Sequence, residues 1–361
     1  LDGRLTADVT YYDKYTRDQI VESELSYLSN YQRVIINSGK ISNKGWEISV
    51  SGVPVKVKNF EWKTIFNWSK NNSMVESLPE GIDKIQIGSG VYNVKSYAEV
   101  GKPYGAIYAK TFKRDAEGYI LCQLDGSPKE GQDYEYLGCV QADWRGGWNN
   151  VFRLGNFSFS VMFDFQKGGK FFSQTSIQSS VDGQSVKSLE GRDADFFSRK
   201  ILGESDEERY GFMRPQNANT PTANGQIYPD WGRPKGVVLP NCRYDEDVEG
   251  LAGQQVLGYC TPERYWMHYT SRDISRFIYD ASYVKLREIT VSYDLPKKWL
   301  RKTPFQTFRV AAVGRNIATL FANTPHGLDP QATSTTGNAQ GFERGFNLPS
   351  ATYGFDIKVS F

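Results

Sequence analysis

From Leu1 to Tyr11 the chain alternates strictly: Leu1, Gly3, Leu5, Ala7, Val9 and Tyr11 are separated by Asp2, Arg4, Thr6, Asp8 and Thr10. A period of two puts successive side chains on opposite faces of an extended backbone, so this segment predicts a strand with one apolar and one polar face. The pattern returns at Trp46, Ile48 and Val50, and at Phe60, Trp62, Thr64, Phe66 and Trp68. It returns again at Phe157, Phe159, Val161, Phe163 and Phe165, and at Tyr353, Phe355, Ile357, Val359 and Phe361. The polar partners include Lys63, Ser160 and Asp356, which the alternation puts on the opposite face from the aromatic residues.

Two segments complicate the pattern. Val284 and Leu286 stand in one phase, and Ile289, Val291, Tyr293 and Leu295 in the other. A β-bulge between Leu286 and Ile289 reconciles them, because one extra residue flips the facing. Phe308, Val310, Ala312 and Gly314 give a strand with a small-residue face, and Trp144, Trp148 and Phe152 share a phase ahead of the turn at Leu154-Gly155. Eight strands are expected, near 1–17, 41–53, 58–71, 143–152, 157–166, 281–295, 305–315 and 350–361. Their connections alternate between short ones, as around Pro54, Arg153–Asn156 and Pro296–Pro304, and very long ones, chiefly 73–142 and 167–279. Such lengths are unusual in a compact soluble domain. They suit a membrane barrel with short turns at one end and long loops at the other.

Composition agrees with this reading. The 361 residues hold 43 Lys+Arg against 41 Asp+Glu, a net charge of +2 that gives no basic excess for nucleic acid. No apolar run reaches the length of a membrane helix, but hydropathy is a poor test of a barrel, whose strands meet lipid only at every second residue. Aromatic residues make up 14% of the chain, with 34 Gly and only four Met, which favours strand over helix. The sequence opens on Leu1 rather than Met, so processing or a longer parent chain is expected.

Little in the sequence points to catalysis. His268 and His326 are the two histidines; neither has metal-ligand spacing, and no Gly-x-Ser-x-Gly elbow is present. The clusters Asp206-Glu207-Glu208 and Asp245-Glu246-Asp247 read as solvated loop charges; they allow a structural Ca²⁺ but do not predict one, and no cofactor is expected. Cys122 and Cys139 lie in one long loop, Cys242 and Cys260 in another. In an oxidising envelope four cysteines allow three connectivities, or they remain thiols; the within-loop pairs Cys122–Cys139 and Cys242–Cys260 are the expected ones. Tyr265, Trp266 and Tyr269, with Tyr228 and Trp231, are candidate ligand or partner contacts, since exposed rings suit sugar or peptide stacking; the competing reading is that they pack the loops themselves.

Several segments in order resemble the SusC/RagA type of TonB-dependent outer-membrane transporter. They are Leu1–Tyr12, Asn37-Ser-Gly, Asn43-Lys-Gly-Trp-Glu47, Gly101-Lys-Pro-Tyr-Gly-Ala-Ile-Tyr108, Asp280 through Pro296, Gly314-Arg-Asn316, Gly327-Leu-Asp-Pro330, and the terminal strand with Tyr353, Phe355 and Phe361. The resemblance implies an all-β fold: residues 1–361 as about eight C-terminal strands of a 22-stranded barrel, with the plug domain and the N-terminal strands absent. It also implies energised import of a large nutrient, a glycan or an oligopeptide, and no enzymatic activity. The implied partners are a SusD-like surface lipoprotein, the remaining N-terminal part of the transporter with its plug, the TonB–ExbB–ExbD complex acting through that part, and outer-membrane lipid. Loops would be extracellular and the C-terminus periplasmic, the terminal strand would serve barrel assembly, and 73–142 and 167–279 would form most of the outer contact surface. Arg4, Asp8, Glu47, Lys63, Asp164, Asp356 and Lys358 would line the lumen. The alternative is a secreted all-β carbohydrate-binding module or glycosidase, which short strands at 8–12-residue spacing would favour.

Overall fold

The computed structural model describes residues 4–24, 33–189, 237–260, 262–325, 327–331, 340–345 and 350–361. Eight strands form one sheet: β1 (Leu5–Glu24), β2 (Arg33–Val57), β3 (Phe60–Ser77), β4 (Trp144–Leu154), β5 (Phe157–Lys167), β6 (Tyr283–Asp294), β7 (Thr307–Ala322) and β8 (Thr352–Ser360). They pair in chain order, each neighbour antiparallel, as an up-and-down meander. These are the eight strands that the alternation predicts. Several run longer than expected, with 20 residues in β1, 25 in β2 and 18 in β3. Backbone pairing does not need alternating side chains, so a strand continues past the patterned stretch. A bilayer takes about 9–11 residues of a tilted strand, which leaves the ends of these strands projecting beyond it.

Short turns gather at one end of the sheet. Gly155 adopts φ 56, the left-handed geometry of a tight hairpin, and its N–H donates to Asn59 O at 2.8 Å, tying the β4–β5 turn to the β2–β3 turn. At the other end the chain leaves for its three long excursions. Register holds each face together. One row crosses from Trp62 through Phe152, Phe159, Val291 and Ala312 to Phe355, and the next from Phe66 through Trp148 and Phe163 to Leu286. The rings stack across strands, with centroids 5.9 Å apart for Trp62–Phe152, 6.1 Å for Phe152–Phe159 and 5.9 Å for Trp148–Phe163. Even the polar atoms on this face are paired: Trp62 Nε1 donates to Asn150 Oδ1 at 3.0 Å, and Trp148 Nε1 to Thr64 Oγ1 at 2.9 Å. Val359, opposite Phe308, continues the same face on β8.

Among the described residues nothing covers this aromatic face. Val9, Trp46, Phe66, Trp148, Phe159, Val291 and Ile357 are all exposed, and Phe355 on β8 is 85% exposed. Among the described residues β1 and β8 each pair on one side only, so the sheet is an open arc. The bulge appears where the phase break puts it. Met162 faces Glu288 while Phe163 faces Leu286, leaving Arg287 as the extra residue.

The long excursions fold on one another. The first supplies a four-stranded sheet of Lys84–Ser89, Lys95–Glu99, Ala106–Phe112 and Glu130–Cys139. Its Ile120–Cys122 then joins Val237–Tyr244 and Gln255–Cys260 of the second in a three-stranded sheet. A third small sheet sets Lys170–Ser173 between Ile278–Asp280 and Phe342–Glu343. Val94, Ile107, Phe172, Ile177, Phe277 and Phe342 form one core drawn from all three excursions. The sequence reading treats these stretches as connections. Their strands are short, and Ala106–Phe112 is almost wholly buried, which erases the alternation that marks a half-exposed strand.

Phe159→Lys is expected to cost about 2–4 kcal/mol if that face meets lipid, and Ser160→Lys on the opposite face much less. Urea unfolding of the two variants in lipid vesicles measures the difference; equal costs would contradict the facing.

Candidate functional site: the polar face and the loop assembly

Opposite the aromatic face, the register lines up polar side chains. One row runs from Asp8 through Ser49, Asn67 and Gly147 to Asp164 and Lys285; the next runs from Thr10 through Glu47, Ser69, Arg145 and Gln166 to Tyr283. Because Gly147 carries no side chain, the middle of the sheet is hollowed into an open groove of about 510 Å³, lined by Asp8, Glu47, Asn67, Ser69, Arg145, Met162 and Asp164 among others. Arg145 Nε donates to Gln166 Oε1 at 2.9 Å, holding the cation at the groove's edge. The expected lumen residues Asp8, Glu47, Lys63, Asp164, Asp356 and Lys358 all share this face by register. Such a face offers hydrogen bonds and charge of both signs to a hydrated solute. Among the described residues no three His, Cys, Asp or Glu side chains gather as metal ligands would.

At the loop end of β6 the polar face carries a network that the sequence reading did not foresee. Arg287, two residues beyond Lys285 and on the same face, meets Asp164, to which Nε donates at 3.1 Å, while Nη1 donates to Asn316 Oδ1 and Nη2 to Gln331 Oε1, both at 2.7 Å. Lys285 Nζ donates to both carboxylate oxygens of Asp329 at 2.6 Å and to Gln331 Oε1 at 2.9 Å. Gln331 Nε2 in turn donates to Tyr283 Oη at 2.6 Å. The side chains of Lys285 and Asp329 are only 7% and 5% exposed. The motif Gly327-Leu-Asp-Pro330 is therefore a strap pinned to the wall through its aspartate. The signals were the phase break and the motif itself, but nothing in the sequence pairs them.

The loop assembly corrects the aromatic expectation. Tyr265, Trp266 and Tyr269 lie on one irregular helical turn, Tyr265–Tyr269, and are fully buried with Phe112, Cys122, Val237 and Val256. Burial removes them from any partner surface: two long loops need an apolar core of their own, and these rings supply it. Tyr228, Trp231, His326 and Asp206–Glu208 lie outside the described residues.

The cysteine pairing is also corrected: neither Cys122–Cys139 nor Cys242–Cys260 is bonded. Cys242 faces Val256, so Cys260 lies four residues farther along that strand, about 13 Å away at ~3.3 Å per residue. That is beyond the ~7 Å Cα separation a disulfide can span. Cys139 faces Ala106 in the four-stranded sheet, whereas Cys122 pairs into the other sheet beside Tyr244.

Asp245 departs from the solvated reading as well. Buried, it accepts from Lys113 Nζ at 2.9 Å and Lys129 Nζ at 2.7 Å, both on the first loop, and Lys129 also holds Asp247. Arg243 Nη1 reaches Asp115 Oδ2 at 3.0 Å, and Arg264 Nη1 reaches Asp125 Oδ2 at 3.0 Å, so several ion pairs cross between the loops. Burial works against the Asp245 charge. The hydrogen bonds from Lys129, Lys113 and the Glu246 N–H overcome it, taking the carboxyl from an ordinary 3.8 to about 2.

Two outcomes follow from these contacts. Lys285→Ala, which strands Asp329 as a buried unpaired carboxylate, is expected to destabilise the wall-strap contact by about 3–5 kcal/mol, read as protease cleavage at 323–345 in intact protein. A depressed carboxyl pKa stabilises the folded form above the unfolded value and loses that contribution as pH falls through the folded one. The docking of the two loops should therefore be undiminished above pH 3.8 and weaken toward pH 2. Hydrogen exchange at 120–122 and 237–244 across that range measures it, and Asp245→Asn should flatten this part of the profile.

No protein-family model matches the chain. TonB-dependent receptor P3 of Formosa agariphila is 24% identical over 98% of the chain and 31% of that receptor. TonB-dependent receptor P26 of the same organism is 27% identical over 47% of the chain and 19% of its own length. Among solved structures, the RagAB peptide importer aligns over 100% of the chain at 16% identity, with TM-score 0.60 in its closed-closed state, covering 34% of that chain, and 0.57 in its open-open state, covering 33%. The chain thus spans about a third of P3 and of the RagAB chain, and less of P26. The resemblance read from the ordered motifs holds: the chain is an all-β segment similar in sequence to TonB-dependent receptors and in fold to RagAB.

Proposed function

We propose that the chain forms the C-terminal part of the wall of an outer-membrane importer of the SusC/RagA type, moving a large nutrient, an oligopeptide or a glycan. The observation that carries this reading is the two-faced arc: stacked, uncovered aromatic rows on one side and a polar groove on the other. A continuous apolar face of this extent is untenable in water but is what lipid requires, and the polar face suits a hydrated lumen. The relatives, which are receptors and an importer, support transport rather than catalysis. A secreted carbohydrate-binding module or glycosidase would have to cover the aromatic face, and nothing among the described residues does.

In this reading the short turns face the periplasm and the loop assembly lies outside the cell. The open edges of β1 and β8 pair with the remaining strands, and a plug carried by the rest of the transporter fills the lumen and couples it to the TonB–ExbB–ExbD complex. A SusD-like lipoprotein covers the mouth. With Tyr265, Trp266 and Tyr269 in the loop core, its contacts fall to the outer surface of 73–142 and 167–279 instead.

The expected outcome is that the protein fractionates with outer membranes and migrates faster on a gel unheated than after boiling. Recovery in the soluble secreted fraction, without a heat-dependent shift, would refute the reading.

A further inference from the structure

The two long loops meet at a pair of cysteines from different loops. Ile120–Cys122 is the edge strand of the three-stranded sheet and runs parallel to Val237–Tyr244, with Ile120 beside Cys242 and Cys122 beside Tyr244. Positions two apart on neighbouring strands share a face, so both thiols point into the same core. There the Cys122 and Cys242 side chains are within hydrogen-bonding contact of each other, at 0% and 1% exposure. The Cys242 sulfur also sits against Gly258 on the third strand, where a Cβ would come within 2.5 Å of it; only glycine leaves that space for the sulfur.

We propose that Cys122 and Cys242 form a cross-loop disulfide in the exported protein, covalently joining the first loop to the second at positions 120 apart in the sequence. The inference rests on the outer-membrane reading, because only an exported chain meets an oxidising compartment. Closing the contact to a bond of ~2.05 Å needs side-chain rotation and a small inward movement of one three-residue edge strand. Each thiol loses its proton, one S–S bond forms, and the two electrons reduce a protein disulfide of the envelope to a dithiol by thiol–disulfide exchange. The exchange belongs to folding, before the core closes. Once buried, Cys122 is held as the thiol by its hydrogen bond with Cys242 and by desolvation, and no exchange partner reaches it. Cys139 stays out of this chemistry in the other sheet, donating to Tyr104 O at 3.5 Å, and Cys260 lies down the strand from Cys242.

The test uses the full chain in two preparations. Protein taken from outer membranes is alkylated with N-ethylmaleimide in hot detergent and digested without reductant. The peptides bearing Cys122 and Cys242 should appear as one linked species split by reduction, with Cys139 and Cys260 alkylated. In parallel, chain made in a reducing cytoplasm is unfolded in urea and refolded into detergent with oxidised glutathione, where the same link should form, and C122S should abolish it while C139S does not. A chain that never reaches the outer membrane fails the functional reading alone. Alkylated Cys122 in membrane-inserted protein, or a refolded chain linked elsewhere or not at all, overturns the disulfide.

Discussion

Everything in this fold hangs on the in-register antiparallel pairing of eight strands. In lipid an unpaired backbone N–H or C=O costs several kcal/mol, so a spanning strand must find partners on both sides. The pairing that satisfies the backbone also fixes side-chain facing, because one residue of slip would move every ring to the polar side and every charge to the lipid side. The rows from Trp62 to Phe355 and from Asp8 to Lys285 are two consequences of one register.

One departure from that register is put to use. The extra residue returns Glu288 to the polar face, on which Lys285 and Arg287 already stand together as two cations two residues apart. They need counter-charges that the wall only half supplies, through Asp164. The rest comes from Asp329 and Gln331 on the third excursion, which ties a loop to the wall beside the groove. Buried ion pairs of this kind seldom add much net stability, but they choose one docking geometry over others, since any alternative would leave a charge unpaired.

The loop assembly follows a different logic. Ordering long excursions costs on the order of 1 kcal/mol or more per residue, which flat surface loops cannot repay. The first two excursions answer this by building a common sheet and a common core around Trp266, and by crossing it with the Lys113–Asp245–Lys129 bridge. Their mutual burial makes the outer assembly a structure in its own right, which a partner would meet as a preformed surface.

The sequence by itself determined the wall. Eight strands, their two faces, the bulge near Arg287 and the short-turn and long-loop ends were all legible, because period-two alternation is local and survives whatever the strand pairs with. The polar residues of the groove, among them Asp8, Glu47 and Asp164, were legible for the same reason. What only the tertiary structure decided lies in contacts between segments far apart in the chain. Tyr265, Trp266 and Tyr269 became core rather than contact surface, Asp245 became a buried bridge, Cys122 found Cys242 instead of Cys139, and Asp329 met Lys285. Short buried strands carry no alternation, and a lone charge or thiol looks the same in sequence whether solvated or paired. Its partner is set by how the excursions pack, and that packing is a property of the whole chain rather than of any stretch of it.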